Sequence, residues 1–171
     1  TVVSENTGGG ICLNVTSIAG APPVSLDRVT IAGNYAAATN SAALHMDTKH
    51  QAEVRISNST ISGNNFKSTS SASGIVRLHK GSYIFENCDI VDNGHDTQCY
   101  SIVNSSQPDT QVTFINGRIS GNIAAAASAI FCKSGGSALT IDGTVITGNS
   151  TTKTDSDAAA VHVSGNKNST P

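Results

Sequence analysis

Short apolar blocks recur along the chain at a nearly constant interval. Five segments end in a small residue followed by Asn, and neighbouring Asn residues are separated by roughly 27 to 30 positions. Repeats of this length are typical of solenoid proteins, in which each repeat forms the same structural unit. The five segments are VTIAGN, STISGN, CDIVDN, GRISGN and TVITGN, and a shorter segment, VVSEN, precedes them.

Apolar positions alternate with polar ones inside each repeat. The positions ten and eight before each Asn are apolar, and the positions between them are polar in most copies. A period of two is that of a half-buried strand. The position three before the Asn is β-branched in every copy, which predicts a second short strand ending at the Asn. A third strand follows a variable loop, in GICLNV, AALHMD, GIVRLHK, YSIVNS, AIFCKS and AAVHVS.

Three strands per repeat predict one coil of a parallel β-helix. A single coil cannot bury its own apolar side chains, so we expect coils to stack with like residues about 4.8 Å apart. Asn after Gly suits a corner that needs a left-handed residue, and stacked amides can hydrogen-bond along the axis. We therefore predict a structural Asn column made of Asn6, Asn34, Asn64, Asn93, Asn122 and Asn149.

Over nearly its whole length the chain resembles the pectin-lyase-like superfamily of parallel β-helix proteins. The TISGN-type blocks, together with the GGG that precedes the third strand of the first repeat, look like repeats of secreted and surface-displayed adhesins. The resemblance implies an all-β, right-handed parallel β-helix of about six coils with three short strands per coil. The whole chain, residues 1–171, is expected to be a single domain that begins and ends in mid-coil. Such proteins include polysaccharide lyases and hydrolases, phage tailspikes and structural modules, so fold alone does not decide function.

In carbohydrate-active members of this superfamily the groove lies over the third-strand sheet or its neighbour, so outward residues there are the candidates. For the segment YSIVNS, either Ile102 or Val103 points inward; we favour Val103, which leaves Asn104 outward. Alignment of the other third strands predicts two outward columns, one of Cys12, His45, Arg77, Phe131 and His162, and one of Asn14, Asp47, His79, Lys133 and Ser164.

His45, Asp47, Arg77 and His79 would form a two-by-two patch on adjacent coils, and they are the candidate catalytic residues. Lyases need carboxylates for calcium plus a basic residue, and hydrolases need paired acids, whereas this face supplies one acid. A solvated polar face is the competing interpretation, and the sequence favours a protein without catalytic activity. No metal site or other cofactor is predicted, because the five His are scattered and no Cys pair has zinc-site spacing.

The four Cys suggest disulfides if the protein is extracellular. Cys88 and Cys99 flank the loop NGHDTQ of one coil and could form a bridge, with free buried thiols as the alternative. Cys12 and Cys132 lie about four coils apart, roughly 19 Å at strand spacing, which is beyond disulfide reach. Cys132 is expected to be a small buried side chain.

Five segments match the N-glycosylation acceptor pattern, at Asn14, Asn58, Asn104, Asn149 and Asn168. Asn14 and Asn104 are expected in the same outward column and Asn58 at a corner, where sugars would not disturb the core. Asn149 belongs to the structural column, where a glycan would conflict with stacking. Covalent N-glycans and an extracellular or cell-surface location are the resulting expectations.

Charge and hydropathy restrict the partners. The formal net charge is −2, charged residues make up 13%, and no Lys/Arg-rich run is present, so nucleic acid is not an expected partner. No window approaches 18 consecutive apolar residues, so membrane insertion is not expected either.

The main functional hypothesis is that copies of the chain stack head to tail into a filament. From Val163 through the tail to Asn6 of a second copy there are about 14 residues, close to the 15 from Leu78 to Asn93. The chain as a piece of a longer surface fibre is the alternative within the same class. A polysaccharide lyase, hydrolase or depolymerase on the third-strand face and a non-catalytic adhesin for surface glycans are the alternatives from other classes.

Overall fold

A computed structural model shows that the protein is an all-β solenoid. It describes residues 1–15, 23–36, 43–48, 52–67, 74–95, 99–125, 129–133, 135, 137–152 and 160–164, and these residues contain strands and no helix. The strands are β1 (Val2–Ser4), β2 (Ile11–Val15), β3 (Val24–Asp27), β4 (Thr30–Ala32), β5 (Tyr35–Ala36), β6 (Leu44–Thr48), β7 (Glu53–Ser57), β8 (Thr60–Ser62), β9 (Asn65–Phe66), β10 (Gly74–His79), β11 (Gly81–Glu86), β12 (Asp89–Val91), β13 (Ser101–Ser105), β14 (Thr110–Ile115), β15 (Arg118–Ser120), β16 (Ile123–Ala124), β17 (Ile130–Lys133), β18 (Ala138–Asp142), β19 (Val145–Thr147), β20 (Ser150–Thr151) and β21 (Val161–Ser164).

Three long parallel sheets run along the axis, as the three-strand repeat predicted. The first-strand sheet has the order β18-β14-β11-β7-β3, the second-strand sheet β1-β4-β8-β12-β15-β19, and the third-strand sheet β2-β6-β10-β13-β17-β21. The described chain therefore holds five complete coils after a partial one that consists of β1 and β2, slightly fewer than the six predicted. Two short pairs, β5–β9 and β16–β20, lie just after the second-strand sheet.

Strand register matches the columns expected from the repeat. Ile31 pairs with Ile61, Ile61 with Ile90, Ile90 with Ile119 and Ile119 with Ile146. Because like residues stack on like residues, each interior coil buries its apolar side chains between two neighbours. Phe85 and Phe114 stack in this way with ring centroids 5.1 Å apart.

Two corners of each coil use the left-handed backbone region. Between the first and second strands it falls on Arg28, Asn58, Asn87, Asn116 and Gly143; after the second strand it falls on Glu5, Gly33, Gly63, Asp92, Gly121 and Gly148. The second set immediately precedes the Asn column. Gly dominates there because it adopts positive φ without steric cost.

The six Asn residues of the predicted structural column form a hydrogen-bonded ladder. In every step, the backbone N–H and the Nδ2 amide of one Asn both donate to Oδ1 of the Asn in the next coil, at 2.8 to 3.1 Å. Nδ2 also donates to a backbone carbonyl of the preceding coil, as from Asn64 to Ile31 at 2.9 Å. The ladder is directional, since every hydrogen bond from one Asn to the next runs from a donor in the earlier coil to Oδ1 in the later coil.

Candidate functional site

The four candidate catalytic residues lie together on the outer face of the third-strand sheet. The parallel register of β6 and β10 pairs His45 with Arg77 and Asp47 with His79. Alternation along a strand places residues two apart on one face, which makes the set the two-by-two patch expected from the sequence. The His45 and His79 rings meet edge to face with centroids 5.3 Å apart, and His79 Nδ1 lies 4.0 Å from Asp47 Oδ2.

Burial controls the protonation state of this patch. Desolvation, and then Coulombic interactions with Arg77 and with His45, lower the pKa of His79 to about 4, although Asp47 opposes the shift. His79 is therefore neutral near pH 7, and its 4.0 Å contact with Asp47 is a contact between a neutral ring and a carboxylate, not an ion pair. The Arg77 side chain is almost completely buried, and desolvation lowers its pKa while Asp47 raises it. A guanidinium nevertheless stays charged in proteins.

A buried tyrosine fixes the end of the strand that carries His79. Tyr83 is fully buried, and its hydroxyl donates a 2.7 Å hydrogen bond to the His79 backbone carbonyl. Burial raises the pKa of Tyr83 to about 12, so the hydroxyl keeps its proton. The backbone below the patch is therefore held in place from inside the core.

The two outward columns differ in one respect from the expected arrangement. The first column runs through Cys12, His45, Arg77, Asn104, Phe131 and His162, and the second contains Asn14, Asp47 and His79, with Lys133 beside Ser164 further along. Asn104 thus belongs with Cys12, and the expectation that it shares a column with Asn14 is wrong. Val103 pairs with Val76 and Ile130 on the inner face, which agrees with the favoured orientation.

An aromatic cluster occupies the other end of the same face. Tyr100 meets Phe131 edge to face at 5.4 Å, and His162 lies against Phe131 at 5.0 Å. The Phe131 side chain is only 5% exposed, so it does not offer an open ring to a sugar. The sequence did not single out Tyr100, which lies one residue before β13. The outward positions predicted for Phe131 and His162 were the signal that could have indicated an aromatic cluster there.

The patch lacks the groups that the carbohydrate-cleaving reactions require. Asp47 is the single carboxylate among the described residues of the two outward columns, whereas glycoside hydrolysis uses two carboxylates. No three His, Cys, Asp or Glu side chains within the described ranges are arranged to hold a metal ion. A neutral imidazole, an adjacent carboxylate and a buried guanidinium can bind polar groups and exchange a proton.

The predicted disulfide between Cys88 and Cys99 is wrong, because both are free buried thiols in this structure. Cys88 Sγ lies 3.4 Å from the Ile56 carbonyl, and Cys99 Sγ lies 2.7 Å from the Ser101 carbonyl. The thiols serve as small core side chains with separate hydrogen-bond acceptors, and burial raises the pKa of Cys99 to about 12. Cys132 is also buried and free, whereas Cys12 is exposed. Cysteine chemistry therefore gives no support to an extracellular location.

The five glycosylation segments fall into distinct environments. Asn14 is exposed on β2, and Asn58 is exposed at a left-handed corner where its amide donates to Asp27 Oδ1 at 2.8 Å. Asn104 is only 1% exposed, so the expectation that it could carry a glycan without disturbing the protein is wrong. Asn149 is part of the Asn ladder, and its Oδ1 accepts both hydrogen bonds from Asn122. Asn168 lies outside the described residues.

The fold and this site define a parallel β-solenoid repeat protein. A family model described as a right-handed β-helix region matches residues 1–170, and the chain belongs to that family. No curated protein and no solved structure matches the chain. The more specific resemblance to pectin-lyase-like proteins and to adhesins with TISGN repeats stays a prediction. No helix among the described residues has the length and apolarity needed to cross a membrane.

Proposed function

We propose that this β-helix is an extracellular or cell-surface structural module that stacks head to tail with copies of itself. The observation that carries the proposal is the complementarity of its first and last coils. Three kinds of contact, namely core side chains, an outward apolar pair and the Asn ladder, would continue from one copy into the next.

Among the described residues, none covers the core columns of the last coil on its outer side. Ile146 continues the Ile column of the second-strand sheet but is only partly buried, and Val163, which pairs with the buried Cys132, is 62% exposed. Unpaired strand edges with apolar side chains favour association with a further strand. At about 25 cal/mol per Å² of apolar surface, covering such a coil contributes several kcal/mol to association.

The outward column of the second-strand sheet is polar in the interior coils and apolar at its two ends. Its interior members are Thr30, Thr60, Asp89 and Arg118, whereas the end members are Val2 and Val145. Val2 is 69% exposed and Val145 is 56% exposed. In a head-to-tail stack Val145 would lie beside Val2 of the partner subunit, about 4.8 Å away by strand spacing, and each would cover the other.

The Asn ladder favours this polarity of stacking. Asn149 has a backbone N–H without a partner among the described residues, and Asn6 Oδ1 accepts no hydrogen bond from them. Donors would therefore meet the acceptor when the last coil of one copy faces the first coil of the next. Head-to-head contact would place acceptor against acceptor.

The proposed extracellular location and the proposed glycans are supported by a different observation, the exposure of two glycosylation segments. Asn14 and Asn58 are both exposed in acceptor segments, but Asn14 lies on β2, the edge strand of the proposed junction, whereas Asn58 lies at a corner of an interior coil. A glycan on Asn58 would leave the proposed junction accessible, and a glycan on Asn14 would crowd it. Occupancy of either residue, measured by intact mass before and after deglycosylation of material secreted from a eukaryotic host, tests this part.

Stacking is tested by sedimentation and electron microscopy of the 171-residue chain over a range of concentrations. We expect concentration-dependent rods that lengthen in steps of one chain. Val145→Asp should prevent rod growth, and Val2→Lys in the same chain should restore it by placing opposite charges at the junction. The matched control is Thr30→Asp, in the same outward column one coil further in, which should leave assembly unchanged. A chain that stays monomeric at all concentrations, or rods that ignore Val145→Asp, overturns the proposal.

A further inference from the structure

An exposed thiol lies beside an imidazole at the open edge of the third-strand sheet. Cys12 is on β2, the first strand of that sheet, and is paired through the register with His45 on β6. Cys12 Sγ and His45 Nδ1 lie 4.0 Å apart. Within one chain, the other side of Cys12 faces the end of the stack.

The last strand of the same sheet carries an imidazole in the same outward column. His162 on β21 pairs with Phe131, and the column continues through Asn104, Arg77 and His45 to Cys12. In the head-to-tail stack, β21 of one copy lies beside β2 of the next. Cys12 would then lie between His45 of its own chain and His162 of the partner subunit.

We propose that each junction of the stack holds a thiophilic metal ion of the Zn²⁺ type, bound by Cys12, His45 and His162 of the partner subunit. The inference rests on the proposed stacking, because neither copy alone supplies all three ligands. Within the described residues of one chain, no group of three ligands forms a metal site. Tetrahedral zinc commonly takes three protein ligands of these types and a water molecule.

The separation of the two ligands in one chain suits such a site. Zn–S bonds of about 2.3 Å and Zn–N bonds of about 2.0 Å at a tetrahedral angle place S and N about 3.5 Å apart. Closing the observed 4.0 Å to this value takes only a small side-chain rotation. An imidazole on each neighbouring strand, about 4.8 Å away along the axis, brings its nitrogen to the same outward space.

Metal binding at a junction couples to assembly. The metal takes Cys12 as the thiolate, and the thiol proton goes to solvent, so affinity rises with pH. A ligand that binds the stacked pair and not the monomer shifts the association equilibrium by mass action. Excess Zn²⁺ should therefore lower the dissociation constant of the stack by at least about tenfold, and chelation should reverse the change.

The test uses the full chain, with Co²⁺ as a spectroscopic probe and Zn²⁺ in the assembly measurement. We expect a near-ultraviolet thiolate-to-cobalt charge-transfer band that saturates near one Co²⁺ per chain in assembled material. Cys12→Ser removes the band, and His162→Ala weakens both the band and the Zn²⁺ effect. His95→Ala, which changes an exposed imidazole outside this column, leaves both unchanged.

The outcomes separate the two proposals. Rods that form normally but give no thiolate band overturn the metal site and leave head-to-tail stacking intact. A band of equal strength in monomeric Val145→Asp protein shows that one chain suffices and overturns the placement at the junction. Failure of the chain to assemble, with and without Zn²⁺, overturns stacking and the metal site together.

Discussion

The interior coils and the last coil have nearly the same repeat but very different burial. Ile90 in the fourth coil along the second-strand sheet is fully buried, whereas Ile146, two strands further on, is only partly buried. The ladder residues Asn93 and Asn149 differ in the same way. A solenoid coil therefore obtains its stability from its neighbours, and the same residue type stabilises the fold only where a coil lies on both sides.

The ladder gives the largest expected difference between these two regions. Asn93→Ala removes the acceptor of two hydrogen bonds from Asn64 and the donor to the Ile61 carbonyl, all of them buried. Each orphaned buried group costs about 1–3 kcal/mol, so the free energy of unfolding should fall by about 4–6 kcal/mol. Asn149→Ala should cost about 1–2 kcal/mol in dispersed protein, because water reaches that end of the ladder.

Urea denaturation of both variants, below the concentration at which the chain assembles, measures this contrast. Equal losses for the two variants would contradict the importance of a second neighbouring coil. If copies stack as proposed, the loss at Asn149 should approach that at Asn93 once the protein is assembled.

The Ile column provides a second comparison with matched residues. Ile90→Ala leaves a cavity between two coils, and such changes cost about 2–5 kcal/mol. Ile146→Ala should cost less than about half as much, since the partly buried side chain loses less contact. Thermal or chemical unfolding of the two variants checks the difference. A larger loss for Ile146→Ala would show that another segment covers the last coil.

Interior coils also desolvate polar side chains on the outer face. The pKa of His79 is about 4 in the folded protein, below the ordinary 6.5, so the unfolded chain takes up this proton first as pH falls. The contribution of His79 to the stability of the folded state is complete above about pH 6.5 and is lost progressively toward pH 4. This loss lowers the free energy of unfolding by up to about 3 kcal/mol. His79→Gln should remove this part of the pH dependence in unfolding measurements at pH 7 and 4.5. The exposed His95→Gln is the control, and an unchanged pH profile in His79→Gln would show that other groups cause the acid sensitivity.

Periodicity was enough to predict what depends on stacking alone. The three strands, the Ile column and the Asn ladder follow from like residues recurring at one interval, because register between identical coils places them side by side. The burial of Asn104 and Arg77 could not be predicted in this way, since alternation shows which way a side chain points but not what covers it. That Cys88 and Cys99 are free thiols could not be predicted either. Their positions on either side of one loop did not show that both side chains point into the core.

The smallest expected effect concerns the ion pair between Asp89 and Arg118, which lie in the outward column of the second-strand sheet. Arg118 donates to both carboxylate oxygens of Asp89, at 3.4 and 3.0 Å, but both side chains are about half exposed. Exposed ion pairs contribute about 0.2–1 kcal/mol and are screened by salt. Asp89→Thr combined with Arg118→Thr extends the Thr30 and Thr60 pattern and should change the free energy of unfolding by less than about 1 kcal/mol. For each single variant, the free energy of unfolding should fall slightly more at low salt than at high salt. A loss of several kcal/mol would mean that the outer faces of the interior coils stabilise the fold as the core does, and that the contrast with the last coil is not one of burial alone.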